Sequence, residues 1–219
     1  MAIESPMALS DLQIERYARQ IIVPGVGGIA QERLLSARMM LAGNSVDVGA
    51  VLFYLVGAGI GEIQLQLQVS DAAEQDRLIL QAGQLNPEVR VGPASENPAG
   101  LNLILGFGGE SETSAILTSR QVIDAAVPII FVRMHEPVMI ALLPQSPPCL
   151  RCADAELLTP SKLRSDNAGF VAMIATTEAF KFLISTSGSS GPTLFEFNGF
   201  ACTTRPLRQA NSCSYCASL

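Results

Sequence analysis

The chain has 219 residues, of which 48% are hydrophobic and 16% charged, enough apolar material to bury a substantial core rather than remain disordered. Its net charge of -6 disfavours non-specific attachment to nucleic acid or to anionic membranes, since neither attracts a net-acidic surface. The two longest apolar stretches, Val46–Ile60 and Gly169–Ile184, are too short or too charged for a bilayer span. The N-terminal stretch lacks a basic region followed by an apolar core, so the expectation is a cytoplasmic protein without a secretory signal.

Two short helices are expected first, over Asp11–Gln20 and Ala30–Ser36, separated by the Pro-Gly-Val-Gly-Gly break at 24–28. Arg38–Gly43 reads as an apolar strand, Asp47–Ala58 as a mostly apolar helix, and Glu62–Val69 as an alternating strand. A helix over Asp71–Leu85 ends at the Asn86-Pro87 break, and Glu88–Val91 is a small strand. Leu101–Gly106 follows as a buried strand, Ser111–Ala126 as a helix, and 127–134 and 137–144 as two further strands. This alternation predicts an α/β fold built on a doubly wound, mostly parallel, Rossmann-like sheet.

After Pro144 the chain becomes Pro-rich and irregular until a helix over Ala168–Ser185, then passes through Ser-Gly-Ser-Ser-Gly-Pro to two closing strands, Thr193–Phe197 and Ala201–Leu207. The expected organisation is one domain over 1–219: N-terminal helices in 1–36, a Rossmann-like core in 37–143, and a C-terminal extension in 144–219.

Four of five cysteines form two CxxC pairs, Cys149/Cys152 and Cys213/Cys216. Without a secretory signal, paired knuckles point to one tetrahedral zinc site stapling the tail onto the Pro-rich segment. Four thiolates close the coordination shell, so the metal would be structural rather than catalytic. The fifth, Cys202, falls on a closing strand and reads as a buried small hydrophobe.

Several of these motifs carry a resemblance. "ERYARQIIVPGVGGIAQERLLSARMMLAG" resembles the N-terminus of the ThiF/MoeB/HesA family, bacterial relatives of ubiquitin-activating enzymes. The likeness continues through "FYLVGAGIGEIQLQ", "CLRC", "GFVAMIATTEAFKFL" and "LFEFNGFACTTRPLRQANSCSYC". It implies an ATP- and magnesium-dependent homodimer that adenylates the C-terminal carboxylate of a small ubiquitin-like sulfur carrier. Arg19 would match the arginine that reaches into the partner's nucleotide site, and Gly43 the first glycine of the phosphate loop.

The rest of the nucleotide machinery departs from the pattern. In place of the GxGxxG glycines, which let backbone approach phosphate, Ser45 and Val48 stand at the second and third positions, and Asp47 adds an acid at the helix N-terminus. The ribose-binding acid falls at Leu67 or Gln68, the Asn-Leu-x-Arg-Gln motif and its lysine have no counterpart near Arg77, and Gly106 and Gly109 replace the magnesium-binding aspartates. Glu110 and Glu112 are nearby acids that a solvated helix start would also explain.

The expectation is therefore a family member that does not hold ATP and magnesium. It would serve as a dimerising or partner-binding module, pairing with itself, a related protein, or a ubiquitin-like carrier. Two alternatives stay open: an active adenylyltransferase using Arg19, Asp47 and Glu110, and a Rossmann-like binder of another small ligand.

Overall fold

The computed structural model describes residues 9–68, 70, 72–95, 97–108, 122, 125–135, 137–144, 148–150, 166, 168–185, 191–208 and 213. Helix α1 (Asp11–Ile21) opens on a reciprocal cap: the Ser10 side chain accepts from Gln13 N–H while the Gln13 side chain accepts from Ser10 N–H. Tyr17, fully buried, anchors this helix to the body. Its hydroxyl donates to Glu88 Oε2 at 3.3 Å and accepts from Asn86 Nδ2 at 2.9 Å, and Asn86 also donates to Val56 O. The ring lies so close to Gly59 that a Cβ there would fall 2.7 Å from it; Gly59 also takes the left-handed conformation (φ +85°) that ends the helix Ser45–Ala58.

Helix α2 (Gly27–Ser36) leads into β1 (Arg38–Gly43), α3 (Ser45–Ala58), β2 (Glu62–Leu67), α4 (Ala72–Leu85) and β3 (Arg90–Pro93). Then come β4 (Leu103–Gly108), β5 (Ile129–Arg133), β6 (Val138–Leu143), α5 (Ala168–Ile184), β7 (Thr193–Asn198) and β8 (Ala201–Pro206). One sheet takes the order β3-β2-β1-β4-β5-β6-β7-β8. The pairings from β3 to β5 are parallel, and those from β5 to β8 antiparallel. The mostly parallel Rossmann-like sheet with N-terminal helices and an antiparallel C-terminal extension is thus the observed architecture.

Alternation of the strands divides the core into two layers. One packs Leu41, Leu65, Leu105 and Val132 beneath Val51, Leu52 and Leu55 of α3 and Val171, Ala175 and Ala179 of α5. The other gathers Met40, Ile104, Phe131, Met139 and Leu194 with Leu150 and Leu207. β1, β4 and β5 are buried along almost their entire length, as parallel strands covered on both faces must be.

Most strand boundaries shift by one or two residues from the sequence expectation. β4 lies two residues later because Gly106 and Gly108, flanked by β1 and β5, continue the ladder instead of turning out of it. β3 begins at Arg90 because Glu88 and Val89 complete a turn on Asn86. β2 ends at Leu67. The helix expected over 111–126 falls almost wholly outside the described residues. Cys202 is a correction of another kind: it is on a closing strand but exposed, because β8 is the sheet edge and all six of its residues are accessible.

At the amino ends of β1 to β3, Glu62 accepts from Gln64 Nε2 (2.9 Å), Arg38 (3.1 Å) and Arg90 (3.2 Å). The hydrogen bond from Gln64, then that from Arg38, holds its carboxyl at about 2, below the ordinary 4.5. A carboxylate with a depressed folded-state pKa stabilises the fold fully above its unfolded value, and that contribution disappears as pH falls toward the folded one. Acid unfolding followed by circular dichroism should therefore show wild-type stability falling between pH 4.5 and about 2, with a shallower fall in Glu62→Gln.

Candidate functional site

In doubly wound sheets ligands bind outside the carboxyl ends of the strands, where the strand order reverses. Here that point lies between β1 and β4. The two strands approach so closely that a Cβ on Gly43 would sit 3.0 Å from Phe107 O and 3.1 Å from Phe107 Cβ. Gly43 is therefore fixed by packing between the strands, whether or not a ligand is bound.

Beyond Gly43 the chain enters α3 through Asn44. The Asn44 side chain accepts from Asp47 N–H at 2.9 Å and donates from Nδ2 to Asp47 Oδ2 at 2.7 Å, while Val48 N–H donates to Asn44 O at 3.1 Å. One of the N-terminal amides that a phosphate would use, that of Asp47, is thus already satisfied by the cap, and the Val48 amide opens the helix's own ladder. Asp47 is 2% exposed and Val48 fully buried, so both side chains fill the turn from inside. Gly49, one residue on, lies where α4 packs: a Cβ there would meet Leu78 at 3.4 Å, an ordinary van der Waals contact.

The remaining positions follow the same pattern. Leu67, at the end of β2, is 6% exposed and carries no acceptor for a ribose hydroxyl. Arg77 faces solvent on α4, bound to Glu74 and to Gln81 of its own helix, and so is not directed at a phosphate. Gly106 is buried in β4 between Ala42 and Phe131. Gly109, Glu110 and Glu112 lie outside the described residues.

Arg19 sits elsewhere. Exposed on α1, it borders an apolar groove of about 510 Å³ between α1, α2, α3 and α5, lined also by Val23, Leu34, Tyr54, Phe180 and Ile184. The groove reaches Gly57 and Ala58 at the far end of α3, ten residues from Asp47, or roughly 15 Å along the helix at 1.5 Å per residue. Within one chain, Arg19 and Asp47 do not converge. Val23 and Tyr54 of its lining expose much of their apolar surface, as do Ile22 and Ile29 elsewhere in the N-terminal segment.

Of the four paired cysteines, Cys149 and Cys213 are described: their sulfurs are 3.7 Å apart, without a disulfide, across 64 residues of chain. Cys152 and Cys216 lie outside the described residues. Among the described residues no cluster of three or more metal-ligating side chains forms, and no helix is long and apolar enough to cross a membrane.

One residue near the crevice escaped the sequence reading. Arg133, ending β5, is 3% exposed, and burial pulls its guanidinium below the ordinary value. The signal was present: a lone cation closing the apolar run "VPIIFV".

A Rossmann-like sheet with antiparallel closing strands, its β1–α3 turn filled by its own side chains, defines the class of protein. No family model matches the chain. It is, however, 24% identical over 253 aligned positions to the heterocyst HesA protein of Trichormus variabilis, covering 96% of this chain and 91% of that one. It is 25% identical to the molybdopterin-synthase adenylyltransferase of Salmonella typhimurium, over 91% and 94% of the two chains. The SAMP-activating enzyme E1 of Haloferax volcanii is also 25% identical, over 96% and 91%. Among solved structures, Escherichia coli MccB bound to succinimide shares the fold with a TM-score of 0.66 at 15% identity, over 92% of this chain and 74% of that one. Over nearly its whole length the chain is thus similar to HesA and to adenylyltransferases of the ThiF/MoeB/HesA family.

Removal of the cap should expose how much the filled turn depends on it. Asn44→Ala is expected to cost about 1–2 kcal/mol, through the lost cap and the lost donor to Asp47, read as a lower urea midpoint at unchanged m-value.

Proposed function

We propose that this chain is a family member that works without ATP, as a dimerising or partner-binding module in the chemistry of a sulfur carrier or ubiquitin-like protein. The observation that carries this reading is the interior of the α3 turn. Asp47 is buried in the turn that the family resemblance assigns to a phosphate, and Asn44 occupies the Asp47 amide. Adenylyl transfer depends on positioning phosphates and neutralising their charge. A turn that presents a carboxyl group and a valine side chain offers neither. The missing ribose acid at Leu67 and the self-engaged Arg77 support the same conclusion.

The partner-binding half of the proposal draws on the apolar groove, with Val23 and Tyr54 exposed in its lining, and on the exposed Ile22 and Ile29. Patches of this kind on a folded domain mark sites of association. A second copy or a related subunit is the partner that the family resemblance suggests, with a ubiquitin-like carrier approaching the crevice. Neither nucleic acid nor membrane has a place in this scheme.

Zinc belongs to the same proposal as a structural element. With arms of about 2.3 Å, a tetrahedral tetrathiolate has sulfur–sulfur edges of roughly 3.8 Å. The 3.7 Å separation of Cys149 and Cys213 fits such an edge, and the donor set with Cys152 and Cys216 would be the four-thiolate type that zinc prefers. When bound, zinc would tie the C-terminal tail to the start of the segment leading to α5. A closed thiolate shell supplies no site for substrate.

Two measurements test these statements. Isothermal titration with ATP and magnesium is expected to give no saturable heat, and binding in the micromolar range, or pyrophosphate exchange with a carrier, would sink the proposal. Elemental mass spectrometry should find about one zinc per chain, and Cys213→Ala should lose both the metal and several degrees of Tm; a metal-free wild type of unchanged Tm would refute the staple.

A further inference from the structure

Three helices end beside the apolar groove that Arg19 borders: α1 at Ile21, α3 at Ala58 and α5 at Ile184. The last carbonyls of a helix have no partner within it and call for donors. Three carbonyls of residues that line the groove are already supplied by the chain itself. Gln20 O accepts from Val23 N–H at 3.0 Å, Ala58 O from Gln31 Nε2 at 2.9 Å, and Ile184 O from Arg33 Nη1 at 2.7 Å. What the groove offers a visitor is therefore mainly apolar wall.

Exposure sets its depth. Leu34 is 3% exposed and Phe53, Phe180 and Ile184 are half-buried, whereas Arg19 and Tyr54 stand open to solvent. The volume of about 510 Å³ lies within the roughly 300–1,000 Å³ of small-molecule sites. Arg19 is the one charged side chain among the described residues that line the groove. It makes no hydrogen bond or ion pair with any described residue, Glu15 one turn earlier included. The Tyr54 hydroxyl likewise has no partner among the described residues.

These features select an occupant. A peptide segment carries an N–H and a C=O at nearly every residue, and burying them against walls without free partners costs free energy. An aliphatic chain asks for no hydrogen bonds and gains from each methylene removed from water. A guanidinium has five donors and no acceptor, so the head group that completes it is a carboxylate rather than an alcohol or an amine.

We propose that the groove binds one medium-chain fatty acid, with its tail against Leu34, Phe53, Phe180 and Ile184 and its carboxylate at Arg19. Tyr54 supplies a second donor at the mouth. Arg19 then serves a ligand of its own chain, whereas the family resemblance directs it into a partner's nucleotide site. The inference uses the surface that the partner-binding reading also draws on, but does not rest on that reading: ligand binding is measured per chain, and association by mass.

Full-length protein stripped of bound lipid would be titrated by calorimetry with a series from hexanoate to dodecanoate, below their micelle thresholds, and with decanol and decyltrimethylammonium. The expected result is saturation at one equivalent per chain, with affinity rising roughly two- to fourfold per added methylene until the groove is full. Decanoate should bind roughly three- to tenfold more tightly than decanol, a modest ratio because the guanidinium is exposed, and the cationic probe should bind least. Arg19→Gln should erase that ratio and leave decanol binding unchanged. Val23→Asp, which adds a negative charge to the lining, should weaken every chain length, whereas Ile14→Asp, exposed on α1 outside the lining, should not. Equal affinity for decanoate and decanol in the wild type, indifference to Arg19→Gln and Val23→Asp, or uptake of many equivalents without saturation would overturn the proposal. So would an absence of saturable heat, whatever mass sedimentation gives; the mass itself decides only the docking reading.

Discussion

The contact between Gly43 and Phe107 sets the position of almost everything at the crevice. A Cβ on Gly43 would sit 3.0 Å from Phe107 O, so β1 and β4 can run side by side to their carboxyl ends only because this residue has none. That closeness fixes where the chain must leave the sheet and where α3 begins. From that start α3 lays Val51, Leu52 and Leu55 on one face of the sheet, and α5 packs Val171, Ala175 and Ala179 into the same layer. A glycine that could be taken as a relic of phosphate binding is therefore also required by the fold.

With the helix start fixed, its chemistry is decided by three side chains. Asn44 caps α3 by accepting from the Asp47 amide, Asp47 accepts in return from Asn44 Nδ2, and Val48 fills the turn beside them. The capping pair stabilises the helix through one of the amides, and through the dipole, that a phosphate would use. Capping and phosphate binding compete for one set of donors, and an internal ligand held by covalent connection needs no binding from solution. Arg133, buried at the end of β5, pairs with Gly108 across one ladder step.

The antiparallel strands do separate work. β6, β7 and β8 extend the sheet beyond the parallel core and return the chain to where Cys213 lies 3.7 Å from Cys149, although 64 residues separate them. At the start of the chain, Tyr17 locks α1 against Gly59, Asn86 and Glu88. This lock holds Arg19 and the apolar groove in a defined place beside α3 and α5.

Much of this was legible in the amino-acid sequence. The apolar run at Arg38–Gly43, the Asn86-Pro87 break and the alternation of strand and helix gave the order of elements, because hydrophobic period and helix-breaking residues act locally. The replacement of glycines by Ser45 and Val48, and the absence of an acid at Leu67, were equally plain, since they depend only on residue identity. Pairing was not legible: β4 extends through Gly106 and Gly108 only because β1 and β5 enclose it, and Cys202 is exposed because β8 has no further neighbour. Nor could the chain order reveal that Arg19 lies by the far end of α3, beside a groove lined by Phe53 and Phe180. Residue types determined which positions of the nucleotide motifs carry other side chains, because identity is a local property; neighbours brought in from distant parts of the chain decided which groups stand together, because pairing and packing are not.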